Sequence, residues 1–381
     1  MTEQHIAAVH QLQQSLWLDN LGRRLIRSGD LARLRDLGVT GITSNPTIFQ
    51  KSVAEGTDYD AAIQDLVRAG RSPDEILWDL MIEDVRAAAD VLRPVFDRTG
   101  GRDGFVSIEV SPQVAYSVEA TVEMVRELRR RCDRDNVMVK IPATPQGVLA
   151  VRRMIGEGAR INVTLIFSVR RYEEVVEAFL SGLEDLRDGG GDLRSVSSVA
   201  SFFVSRVDSK VDRLIDEALR DAQPPEAERL RALRGSIGIA NSKIAYQLYR
   251  ALHSGPRWQR LSAAGAAPQR CLWASTSVKD PAYPDTMYVD GLIGPDTIDT
   301  LPEKTLEAFV DHGVVRDTLE ADVDLARRQL HELHALGISL DRVTADLETE
   351  GVEAFGASYE QLLVALRGAA SAAAGPGRGP G

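Results

Sequence analysis

Short apolar, β-branched runs alternate along the chain with longer stretches in which hydrophobic positions recur at helical spacing. Eight runs are predicted as strands: Leu16–Asp19, Thr40–Asn45, Phe105–Val110, Val137–Pro142, Ile161–Phe167, Val196–Val204, Arg270–Thr276 and Met287–Leu292. Several are apolar throughout instead of alternating, as parallel strands covered on both faces are. Between them the helical period predicts Asp74–Arg93, Ser117–Arg131, Pro145–Glu157, Arg170–Arg187 and Arg206–Asp221, with Thr57–Ala69 as an extra element after the second strand. Regular strand–helix alternation implies right-handed crossovers and a parallel sheet. Eight such strands point to closure. The expected fold class is therefore α/β, a (β/α)8 TIM barrel with additional helices.

Two regions exceed the simple repeat. Pro224–Ala267, between the sixth and seventh strands, contains a predicted helix at Ile239–Leu252, and Glu303–Arg367 reads as several helices. No break in composition divides the chain, so residues 1–368 are expected to form a single catalytic barrel domain. Residues 369–381, rich in Gly, Ala and Pro, are expected to be disordered.

Charge narrows the function. A net charge of −11 disfavours nucleic acid and anionic membranes as partners, because both call for a basic face. A small phosphate ligand needs only a few local cations. No apolar run reaches membrane-spanning length, and the N-terminus lacks a signal-peptide layout. Cys132 and Cys271 have no CxxC spacing, so a reduced, cytoplasmic setting is expected. Helix faces on such a barrel can be solvated or paired, which leaves a homo-oligomer open.

Some features carry no chemistry. His331 and His334 share a charged, amphipathic helix face and lack the HExxH spacing; none of the six histidines falls on a strand end, so no metal site is expected. Gly189–Gly191 follows a helix and reads as a loop. Arg129–Arg131 reads as a solvated helix end.

Lysine usage is the most informative oddity. The chain holds 45 basic residues, yet its lysines are confined to Lys51, Lys140, Lys210, Lys243, Lys279 and Lys304. Arginine keeps its proton and cannot be an amine nucleophile, whereas lysine can. Lys140 stands inside Val-Met-Val-Lys-Ile-Pro, an apolar strand. A buried ammonium is costly without a partner, and an amine that sheds its proton attacks carbonyls. The competing reading is a buried lysine paired with a carboxylate.

Other polar residues recur at strand ends, the rim where barrel active sites assemble. Asp19 ends the first strand and Thr43-Ser44-Asn45 the second. Glu109 lies near the end of the third, and Asn162 and Thr164 share one face of the fifth. Ser201 and Arg206 mark the end of the sixth, Ser275 that of the seventh, and Lys279 follows shortly. Arg206 starts a predicted helix, where the dipole and free N–H groups favour an anion; it could instead pair with Asp208 or Asp212. Phe203 could be core or a shielding wall, and Phe355–Leu366 is a second candidate wall.

At these residues the chain resembles the transaldolase family. The resemblance rests on Gly41–Phe49 (GITSNPTIF), Val137–Val148 (VMVKIPATPQGV) and Ile161–Ser168 (INVTLIFS), in order and at barrel spacing, and spans roughly residues 15 to 368. It implies a cofactor-free transferase of the pentose phosphate pathway. Such an enzyme moves dihydroxyacetone from sedoheptulose 7-phosphate to glyceraldehyde 3-phosphate, giving erythrose 4-phosphate and fructose 6-phosphate. Lys140 would form the Schiff base, and Asp19 would exchange a proton with the C4 hydroxyl. Glu109 and Thr164 would hold a catalytic water. Asn45 and Asn162 would bind the dihydroxyacetone hydroxyls. Ser201, Arg206 and Ser275 would meet the phosphate, with either Lys279 or Ser277 where relatives place a second arginine. The alternatives are a fructose 6-phosphate aldolase-type enzyme and a non-catalytic barrel that binds sugar phosphates.

Overall fold

The computed structural model describes residues 2–44, 49–50, 52–53 and 57–374. Eight strands run in sequence order around a closed barrel: β1 Gln14–Leu18, β2 Gly41–Thr43, β3 Phe105–Glu109, β4 Val137–Pro142, β5 Ile161–Ile166, β6 Ser198–Phe203, β7 Arg270–Ala274 and β8 Thr297–Leu301. Each pairs in parallel with its neighbour, and β8 returns to β1 through Trp17↔Thr300 and Leu18↔Leu301. The expected TIM barrel is therefore present, with extra helices around it.

Seven strands lie where the apolar runs placed them, and the eighth does not. Met287–Gly291 is a short helix whose Tyr288 and Val289 are buried in the outer layer. Its apolar character reflects that burial. The true β8, Thr-Ile-Asp-Thr-Leu, alternates in a polar key: Ile298 and Thr300 face the barrel interior, while Asp299 and Leu301 face outward. The helices match the periodicity to within a few residues. They include Pro73–Arg98, opened by a Ser72–Glu75 capping box, and Ser205–Ala218 after β6. The last helix runs Leu340–Ala374, so the stretch expected to be disordered from Ala369 begins inside it; residues 375–381 lie outside the described residues.

Two apolar clusters hold the fold. One fills the space between strands and helices. The other includes Trp17, Phe105, Met138, Val199, Leu272 and Ile298 in the barrel and extends to the outer helices through Val207, Leu230 and Leu333. Trp17 fits only because Gly41 beside it has no side chain: a Cβ there would meet the indole at 2.4 Å. At the amino-terminal mouth Asp103 accepts hydrogen bonds from Ser15 Oγ (2.7 Å), Trp17 Nε1 (3.0 Å) and Arg270 Nη2 (3.1 Å), closing the floor. Polar chemistry is thus left to the carboxyl-terminal mouth. Cys132 and Cys271 are buried free thiols, and among the described residues no helix is long and apolar enough to cross a membrane.

Asp299 is fully buried and accepts a hydrogen bond from Thr276 Oγ1 at 2.8 Å. Burial pushes its carboxyl up to about 8, the Thr276 hydroxyl opposing only in part. The folded chain therefore keeps this proton after the unfolded chain has lost its own near pH 4 (about 3.9 unperturbed). Stability falls as pH rises through that window and levels off above the folded value. Asp299→Asn should consequently gain on the wild type in thermal midpoint from about pH 4 to about pH 8, then run parallel. A difference that stays flat with pH across that range contradicts the assignment.

Candidate active site

The mouth formed by the carboxyl ends of the strands encloses a cavity of about 270 Å³. A larger one, about 510 Å³, lies at the amino-terminal mouth, but its arginines are engaged: Arg270 with Asp103 and Arg102 with Asp296. Size does not select the site; the chemistry of the walls does.

Register explains the grouping. Glu109 of β3 stands beside Lys140 of β4, Lys140 beside Asn162 of β5, and Pro142 beside Thr164. Side chains at alternate positions point inward, so Glu109, Lys140, Asn162 and Thr164 are brought to adjoining places on one inner surface. Lys140 is buried; its Nζ donates to the Ser44 carbonyl at 3.3 Å and lies 3.9 Å from Glu109 Oε2. At that separation the two charges attract without a direct hydrogen bond. Lys140 and Glu109 thus stand within ion-pair distance, as the competing reading expects, but without a direct hydrogen bond.

Neither Glu109 oxygen nor Thr164 Oγ1 has a hydrogen-bond partner among the described residues, although all three atoms are buried. Burial pushes the Glu109 carboxyl up to about 7; Lys140 and Arg206 pull it down, and Asp19 pushes it further up. An acid poised near neutrality can both give and take a proton. Asp19, directly after β1, accepts from Thr43 Oγ1 at 2.9 Å, and Thr43 in turn shares a hydrogen bond with Thr300 Oγ1 at 2.9 Å.

Two residues with left-handed backbone flank the cavity. Leu165 (φ 59°) sits in a β5 bulge where the register to β6 shifts between Val163 and Ile166. Ser275 (φ 56°) follows β7. A residue with a Cβ costs about 1–2 kcal/mol in this region, strain that tends to collect at working sites. The bulge leaves Thr164 on the cavity wall and Leu165 among Phe167, Phe203 and Val352 of the inner cluster.

The far wall is cationic. Arg206, in the first turn of Ser205–Ala218, makes no ion pair among the described residues. Its guanidinium lies 5.3 Å from the Phe203 ring centre. Burial lowers its pKa, while Asp19 and Glu109 oppose. Asp208 and Asp212 do not hold it: they accept instead from Gly238 N (2.8 Å) and Gly235 N (3.0 Å). Ser275 Oγ bonds Ser205 Oγ at 2.9 Å, and Lys279 Nζ donates to Ser277 Oγ at 2.6 Å. Desolvation and the neighbouring Arg206 both draw the Lys279 amine down, with Asp19 opposing. Both Ser277 and Lys279 line the cavity.

Most candidate residues therefore meet. Asp19, Lys140, Thr164, Ser201, Arg206, Ser275 and Lys279 line one cavity, and Glu109 sits behind Lys140. Asn162 is the exception: it is fully buried and outside the cavity lining, donating to Ser107 Oγ (3.1 Å) and accepting from Ser201 Oγ (2.7 Å). Asn45 lies outside the described residues. Thr300 and Phe355 also line the cavity, and the sequence pattern marks neither individually. Thr300 was hidden by the misplaced eighth strand; its signal was the polar alternation of Thr-Ile-Asp-Thr-Leu.

A buried lysine beside a poised carboxyl, facing a cationic wall at the carboxyl mouth of a TIM barrel, defines an enzyme-like site for anionic carbonyl compounds. The family described as Transaldolase/Fructose-6-phosphate aldolase matches residues 16–366. Among similar proteins, a Streptomyces avermitilis protein named Transaldolase 2 is 48% identical over 351 residues, covering 92% of each chain. A Parafrankia transaldolase is 48% identical over 355 residues, 93% of this chain and 94% of its own. A Trichodesmium erythraeum transaldolase is 42% identical over 370 residues, 96% of this chain and 97% of its own. The chain belongs to the transaldolase/fructose-6-phosphate aldolase family.

Proposed function

We propose that the chain is a transaldolase that carries dihydroxyacetone from sedoheptulose 7-phosphate to glyceraldehyde 3-phosphate. The observation that carries this reading is Lys140: among the described residues the one lysine on a strand, buried at the mouth, facing Arg206 and Lys279 across one cavity. Lys140 attacks the donor ketone to give a carbinolamine. Loss of water, assisted by a water molecule between Glu109 and Thr164, leaves an iminium. The unpartnered oxygens of Glu109 and Thr164 supply the acceptors and the hydroxyl such a water needs. Asp19 takes the C4 hydroxyl proton; the C3–C4 bond breaks, its electron pair passes into the iminium, and the aldehyde leaves. The enamine then adds to the second aldehyde, Asp19 returns the proton, and hydrolysis frees Lys140.

Arg206, Lys279 and the serines Ser201, Ser275 and Ser277 hold the phosphate; the helix N-terminus beneath Arg206 adds its partial positive charge. Phe203 and Phe355 close the cavity over the enamine and limit stray protonation. The buried free thiols suit a reducing, cytoplasmic setting.

Arg206→Ala should raise KM for phosphorylated substrates roughly 10- to 100-fold, the worth of a charge-assisted hydrogen-bond pair, with a much smaller change in kcat. An unchanged KM removes Arg206 from the phosphate site. The reaction type is tested by supplying fructose 6-phosphate with and without erythrose 4-phosphate. A transaldolase consumes the donor catalytically only when the acceptor is present. Steady release of free dihydroxyacetone without acceptor supports the aldolase reading instead.

A further inference from the structure

The phosphate wall comes from two separate pieces of chain, and one helix face pins both. Ser205, Asp208 and Asp212 lie on the same side of Ser205–Ala218, spaced three and four apart. Ser205 binds Ser275 twice, through its backbone N–H to the Ser275 carbonyl (2.9 Å) and through the hydroxyls (2.9 Å). Asp208 takes the Gly238 N–H at 2.8 Å. Asp212 takes the Gly235 N–H at 3.0 Å and the Tyr283 hydroxyl at 2.7 Å. The segment from Ser275 to Tyr283 is thus fastened at both ends to the helix whose first turn carries Arg206, and it presents Ser277 and Lys279 in between.

The seat for Tyr283 is cut to shape. Gly235 has a left-handed backbone (φ +65°), and a Cβ on it would stand 2.7 Å from the Tyr283 ring. Only glycine lets the ring lie there with its hydroxyl on Asp212. Asp280 reinforces the bend, accepting from Ala282 N at 2.9 Å and facing Arg234 at 3.4 Å. Tyr283 itself is absent from the cavity lining. It can influence substrate only through the segment it fastens.

We infer that Tyr283, through its hydrogen bond to Asp212, is a positioning residue that holds Lys279 in register with Arg206 and so sets the grip on the substrate phosphate. This rests on the phosphate reading of Arg206 given above. The amine of Lys279 sits on a flexible stem, and a point charge rewards accurate placement only if its backbone is held.

The test uses Tyr283→Phe, which keeps the ring on Gly235 and deletes only the hydroxyl. KM for fructose 6-phosphate and the competitive inhibition constant of inorganic phosphate should both rise about tenfold, the effect of losing one hydrogen bond to a charged acceptor. Inactivation by dihydroxyacetone plus borohydride, which involves no phosphate, should stay within about twofold, since imine formation does not use this wall. In a Lys279→Gln background the same substitution should have little further effect on phosphate inhibition, because the group it positions is gone. A folded Tyr283→Phe enzyme with unchanged phosphate inhibition overturns the inference, as does an equal loss for dihydroxyacetone, which marks a merely structural role. Arg206→Ala in parallel separates the two levels. If it too leaves phosphate inhibition unchanged, the phosphate reading has failed; if it weakens phosphate while Tyr283→Phe does not, only the positioning role has failed.

Discussion

Lys140→Ala is expected to lower turnover by on the order of 10⁴-fold or more, the scale of losing a covalent nucleophile. The fold should survive. Removing the amine leaves Glu109 without its nearest cation, but that carboxyl already sits at about 7, so it takes up a proton instead of remaining a buried charge. Lys140→Arg is the sharper companion. It keeps a cation opposite Glu109 and cannot form an imine, so it should be as inactive as the alanine variant. Steady-state rates with fructose 6-phosphate and erythrose 4-phosphate, checked against the thermal midpoint, read the outcome. Substantial activity in the arginine variant means that charge, not nucleophilicity, is what Lys140 contributes.

Asp19→Asn should lower kcat roughly 10²- to 10⁴-fold, the range for a lost general acid–base. Its geometry should hold, because an amide carbonyl can still accept the 2.9 Å hydrogen bond from Thr43. Imine formation does not need the C4 proton, so the variant should still be captured on the substrate while failing to release aldehyde. Loss of capture along with cleavage would move Asp19 from proton exchange to an earlier step.

How much of this the chain disclosed follows from physics at particular residues. Buried parallel strands need continuous apolar runs, and β4 and β5 stand out because Lys140, Asn162 and Thr164 interrupt such runs. The apolar pattern does not reveal β8, because its inward residues are Ile298 and Thr300, in a polar setting, while a more apolar helix lies just upstream. Strand parity placed Asn162 on the inner face correctly, but it could not reveal the depth at which Ser107 and Ser201 tie it down. The cationic wall was readable as residue types. Its support was not: Asp212, Gly235 and Tyr283 are far apart in sequence, and only the packing of a helix against two loops joins them. Burial of Glu109 likewise depends on the closed barrel, which no local pattern encodes.

The most direct measurement is chemical capture. The native enzyme is mixed with fructose 6-phosphate alone, reduced with borohydride, digested, and its peptides weighed. The account predicts a single dihydroxyacetone-derived adduct, located on the peptide containing Lys140. An adduct on Lys279 or any other side chain, or no adduct at all from an active preparation, contradicts it.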